Sequence, residues 1–108
     1  MIFKINDEIW RVHFVPSYHP SLYRSDGSKT IAACDDNNKT IYLENTLTEE
    51  KMRKVLCHEL THAAMFSYNI EMDLMQEEII ADFISTYGEE ILSLTNSLFK
   101  KIFGSSRN

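Results

Sequence analysis

The sequence predicts an α+β fold: a small, mostly antiparallel sheet of N-terminal strands packed on two main C-terminal helices. Two observations predict it. Short runs rich in β-branched and aromatic residues, separated by turn-forming residues, fill residues 2–44. Apolar residues recurring with helical period then fill residues 52–98. Strands that precede helices, rather than alternate with them, indicate α+β and not a doubly wound parallel sheet.

Residues 2–5 and 9–15 read as strands, and Asn6-Asp7 suits a tight turn between them. Residues 16–29 carry both prolines, a glycine and several serines, and read as a loop. Residues 30–34 and 40–44 read as two further strands. Between them, Asp35-Asp36-Asn37-Asn38 can bond its own backbone in a turn.

The first helix has Thr46 and Thr48 as alternative N-caps, with Glu49 and Glu50 where the helix dipole favours negative charge. Its apolar stripe runs through Met52, Val55, Leu56, Leu60, Ala63 and Ala64, and Asn69 is suited to a left-handed end. The second helix is expected to start between Asp73 and Gln76, with a stripe of Ile80, Phe83, Ile84, Tyr87, Ile91, Leu94 and Leu98. Gly88 lies inside it as a point of bending or weakness, and the tail over residues 104–108 is expected to fray. Leu98, Phe99, Ile102 and Phe103 make the end of this helix apolar, to pack either on the core or on another subunit.

A length of 108 residues allows one core, so residues 1–108 are read as a single domain. No apolar run has the length of a membrane span, and the N-terminus lacks a basic segment followed by an apolar one. Cys34 and Cys57 are too few for a disulfide framework. A cytoplasmic protein with reduced thiols is expected. The net charge of −5 argues against nucleic acid as a partner. No Lys or Arg stands between Lys54 and Lys100, a span holding Glu59, Glu71, Asp73, Glu77, Glu78, Asp82, Glu89 and Glu90. Such a field attracts a cation, although an acidic helix surface in water would have the same composition.

The most informative stretch is His58-Glu59-Leu60-Thr61-His62, in the middle of the first helix. Two imidazoles four positions apart point the same way, one turn above the other, and can share a metal ion. The glutamate between them can handle a proton beside that ion. A catalytic Zn2+ takes three protein ligands and leaves one position open. The second helix offers Glu78 as the third ligand, with Glu77 as the alternative. Asp82, one turn beyond Glu78, would accept a hydrogen bond from the free ring nitrogen of a ligating histidine, His58 being preferred. Cys57 points about 100° away around the helix and reads as packing. His13 and His19 read as a strand and a loop histidine.

HELTH followed by Glu78-Ile79-Ile80-Ala81-Asp82 resembles a gluzincin metallopeptidase, the class that includes thermolysin. The short connection and the Glu-x-x-Ala-Asp form are closer to the small ImmA/IrrE-type peptidases, with a strand hairpin ahead of the motif helix. The resemblance covers roughly residues 28–92. Thr61 stands where that family often has Gly, and Asp82 where it has Asn. The resemblance implies a minimal zincin-like domain that cleaves a protein or peptide. It also implies a phage or mobile-element regulator whose substrate is a repressor protein.

In that chemistry Glu59 takes a proton from the attacking water and passes it to the leaving amine. A further donor must stabilise the oxyanion, and Tyr68, Tyr87, His19 and Tyr23 are the candidates. The edge of the strand at residues 30–34 could hold an extended peptide. The alternative function is a non-catalytic, zinc-stapled module that sequesters a protein partner.

Overall fold

A computed structural model describes residues 1–104 of the chain. Strands β1 (Ile2–Ile5) and β2 (Glu8–Val15) form an antiparallel hairpin. Its turn holds Asn6 and Asp7 at φ of 49° and 63°. Both are the left-handed conformation that a two-residue hairpin turn demands and that Asn and Asp tolerate. After a loop with a short 3₁₀ turn at Pro20–Leu22, the chain forms β3 (Ala32–Asp35) and β4 (Thr40–Glu44), again antiparallel. In the turn between them the Asp35 carboxylate accepts from the backbone N–H groups of Asn37 and Asn38.

The sheet order is β1-β2-β4-β3, so the two hairpins meet through β2 and β4. That central pair is parallel, while the other two pairs are antiparallel. β3 is left as an edge strand, and it is the strand against which the motif helix packs most extensively.

Helix α1 (Glu49–Ser67) is capped by Thr48, whose hydroxyl accepts from the Lys51 N–H. Thr46 instead bonds Glu44. Past the C-cap at Tyr68, Asn69 adopts a φ of 55°, which ends the helix. The stripe of Met52, Val55, Leu56 and Leu60 lies on a sheet core of Trp10, Val12, Ala32, Ile41 and Leu43. At the far end of α1, Trp10 Nε1 donates to Ser67 Oγ at 2.7 Å and Asn6 Nδ2 donates to the Ser67 carbonyl at 2.9 Å. The first hairpin therefore fixes the end of the motif helix as well as covering the core.

Helix α2 (Leu74–Phe103) is capped by Asp73. Gly88 lies within an unbroken helical span. The apolar stripe faces outwards: Phe83, Tyr87, Ile91, Leu94 and Leu98 are all about half exposed. What α2 turns towards α1 is the opposite face, with Ala81 fully buried between the two helices. A methyl group at that position lets the helices approach closely. The expected fraying over residues 104–108 falls, beyond Gly104, outside the described residues.

Candidate metal centre

The face of α1 that carries His58 and His62 meets the face of α2 that carries Glu77, Glu78 and Asp82. His62 is buried at 8% side-chain exposure and His58 is partly buried at 20%. Their Nε2 atoms lie 3.2 Å apart. The Glu78 carboxylate bridges them, with Oε2 at 3.2 Å from His58 Nε2 and Oε1 at 2.9 Å from His62 Nε2.

The opposite nitrogens face carboxylates too. His58 Nδ1 is 3.0 Å from Asp82 Oδ1, and His62 Nδ1 is 2.5 Å from Glu77 Oε1. Each ring thus has a carboxylate that can receive an Nδ1–H, and in that tautomer the Nε2 lone pair points inwards. Two imidazole lone pairs and a carboxylate then converge on one point. That arrangement repels itself unless a positive charge sits among them.

A tetrahedral zinc site with ligands at about 2.0–2.1 Å has ligand–ligand edges of about 3.3–3.4 Å. The observed separations are close to this, so the donor set and the spacing both suit a zinc ion. His58, His62 and Glu78 would hold it. Glu77 stands behind His62 and not in the convergent trio. The role of Glu77 as the partner of His62 was not read from the sequence. Its adjacency to Glu78 was visible, but the angle between neighbouring helix positions decides which histidine nitrogen each reaches.

The site opens into a cleft of about 530 Å³ between α1, α2 and the β3 edge. Ile31, Ala32, Ala33 and Cys34 form one wall, and Val55, Phe66 and Leu74 add apolar surface. Glu59 lines the cleft but is only 7% exposed. Burial raises its pKa, opposed by the neighbouring His58 and His62 and reinforced by Glu78.

Of the four oxyanion candidates, Tyr23 lines the cleft, as does Arg24 beside it, a residue not singled out from the sequence. Tyr68 caps α1 and Tyr87 lies on the outer face of α2, both half exposed and outside the cleft lining. His19 stacks on Tyr42, and its Nδ1 accepts from the Ser21 N–H. Lys51, Lys54 and Arg24 line the cleft. The cleft therefore carries both signs of charge.

A family model described as the IrrE N-terminal-like domain, Peptidase_M78, matches residues 16–92. The chain belongs to the IrrE N-terminal-like domain family. The match takes in the loop from residue 16 as well as the hairpin, motif helix and ligand helix, so it begins earlier than the sequence resemblance did. It leaves the β1–β2 hairpin and the distal part of α2 outside. No curated protein and no solved structure matches the chain. Membership of the IrrE N-terminal-like family supports a metallopeptidase, and a peptidase acts on a protein or peptide. Among the described residues no helix is long and apolar enough to cross a membrane.

Proposed function

We propose that this protein is a zinc-dependent endopeptidase that hydrolyses an amide bond in a regulatory protein of the cytoplasm, such as a transcriptional repressor. The observation that carries this reading is the convergence of His58, His62 and Glu78 on the floor of a cleft that Glu59 also lines. A purely structural zinc site needs neither an open side nor a buried carboxylate beside it.

When bound, zinc supplies Lewis acidity, which makes water nucleophilic near neutral pH and polarises a carbonyl. Glu59 accepts the proton of the attacking water and returns it to the leaving nitrogen. Its burial, which disfavours the charged form, makes it a stronger base than an exposed carboxylate. Asp82 and Glu77 hold the two imidazoles in register. Tyr23 and Arg24, which line the cleft beside Lys51 and Lys54, are donors suited to the oxyanion.

The exposed edge of β3 offers backbone groups to an extended substrate, while the flanking Ala32 and Ala33 leave room for it. The substrate is therefore an unfolded or loop segment rather than a packed element. The test is cleavage of an unstructured protein by zinc-loaded enzyme, read by mass spectrometry of internal fragments. The parent should cut and Glu59→Gln should not. Equal cleavage by both would remove Glu59 from the chemistry. Zinc binding without cleavage by the parent would favour a sequestering module.

A further inference from the structure

Every residue from Glu89 to Ile102 is exposed, although this half of α2 carries Ile91, Leu92, Leu94, Leu98, Phe99 and Ile102. The helix projects past the N-terminal end of α1. The result is a radius of gyration of 16.7 Å and a longest dimension of 57 Å. A closed domain of this length would have a radius of gyration of about 13 Å.

We propose that this segment pairs with a second copy of the chain, helix against helix and antiparallel, about a twofold axis at Leu94–Thr95. The argument is self-complementarity. At 100° per residue, Tyr87, Ile91, Leu94 and Leu98 fall within an arc of about 60°. An axis at Leu94–Thr95 sets Ile91 beside Leu98 of the second copy and Tyr87 beside Ile102. Leu94 lies beside the axis, level with Thr95 of the second copy and one residue from its own equivalent.

The flanks obey the same axis. Glu90 and Lys101 lie on one side of the arc, and the axis brings each within two residues, about 3 Å along the helix, of the other's counterpart in the second copy, within reach of these long side chains. In a parallel pair each flank would face the opposite flank of the second copy, where Gly88, Thr95 and Ile102 carry no charge, so only the antiparallel arrangement brings Glu90 and Lys101 together.

Two further features agree. The apolar arc continues into a groove between α1 and α2 that includes Leu56, Leu60, Ile84, Gly88 and Leu92. Gly88, whose missing side chain leaves room in that groove, lies one residue from Tyr87, the position that Ile102 of the second copy meets. The arc also lies on the side of α2 opposite Glu78 and Asp82, so pairing leaves the metal cleft open.

The experiment is sedimentation equilibrium of the full chain, with correct folding monitored by zinc uptake and thermal melting. The parent should be a dimer. Leu94→Glu should weaken dimerisation by about a hundredfold, since it buries a charge where a leucine packed. Glu90→Lys and Lys101→Glu should each weaken it by roughly tenfold, and the double variant should recover most of the loss. The two positions are too far apart on one helix to compensate within a single chain, so recovery reports the pairing between copies. A parent that is monomeric at about 100 μM would overturn the proposal. So would a dimer indifferent to Leu94→Glu, a double variant no better than the single ones, or a segment that binds only vesicles or another protein.

Discussion

The Glu77 carboxylate holds one side of the His62 ring, 2.5 Å from Nδ1, while Glu78, its neighbour in sequence, holds the other side at 2.9 Å from Nε2. Two adjacent acids thus take opposite nitrogens of one imidazole. Glu78→Ala should therefore abolish tight zinc binding. Glu77→Gln should keep the ion but weaken affinity about 10–100-fold, because the ring loses the acceptor that sets its tautomer. Asp82→Asn should cost less than Glu77→Gln, since Asp82 is 70% exposed and water can replace it. Competition with a chromophoric chelator measures all three. A Glu77→Gln protein that had lost zinc as completely as Glu78→Ala would make Glu77 a ligand.

Glu59 combines burial with a position between the two histidines. Its substitution separates catalysis from metal binding. Glu59→Gln should retain one zinc per chain with affinity close to the parent. It should lose about 10²- to 10⁴-fold in kcat, the range for a missing general base. Stopped assays with a fluorogenic peptide, run beside metal analysis, check both parts. A loss of zinc in this variant would place Glu59 in the coordination set.

Cys34 sits on the β3 wall of the cleft and is partly buried. Burial raises its thiol far above the ordinary range, and the carboxylates of Glu59, Asp36, Asp35 and Glu77 push the same way. The thiolate is the reactive form, so the folded protein should protect Cys34 from alkylation. Timed iodoacetamide labelling at about pH 8, read by peptide mapping, should show Cys34 modified at least tenfold more slowly in the native than in the denatured chain. Equal rates would mean that this wall is open to solvent.

Much of this architecture was legible in local chemistry. The turns at Asn6-Asp7 and Asp35–Asn38, the cap at Thr48 and the end at Asn69 each depend on a few adjacent residues, and sequence carries such signals well. The parallel contact between β2 and β4 was not legible, because pairing order is decided by how two hairpins dock. The exposure of the α2 stripe was not legible: its apolar periodicity, through Phe83, Tyr87 and Leu94, faces solvent, while the acidic face meets α1, as the choice of Glu78 from the sequence requires. Periodicity reports that a face wants cover, not which neighbour provides it. The convergence of Glu78 and Asp82 on His58 follows from helical spacing. The reach of Glu77 to His62 depends on how the two helices face each other, which is a tertiary quantity.

The loop carrying Tyr23 and Arg24 is held by backbone bonds, a Tyr23–Lys29 bridge and the buried Leu22, and also by an ion pair, Lys29 Nζ to Glu44 Oε1 at 2.7 Å, with Thr46 Oγ1 donating to Oε2 at 3.2 Å. Lys29 is the main cause of a lowered pKa at Glu44, and Thr46 adds to it. For an acid whose pKa is depressed by folding, the stabilising contribution is present above the unfolded value of about 4.3 and is lost as pH falls through the folded value. Lys29→Met should therefore lower the melting temperature slightly at pH 7, and the difference from the parent should shrink towards zero in the acid range. It should also raise KM more than it lowers kcat, because the loop bearing one wall of the cleft is loosened while Glu59 and the metal ligands are untouched. Melting curves from pH 3 to 7 beside peptide kinetics test both effects. A melting difference that stayed constant with pH would mean that Lys29 acts by packing rather than through the Glu44 charge.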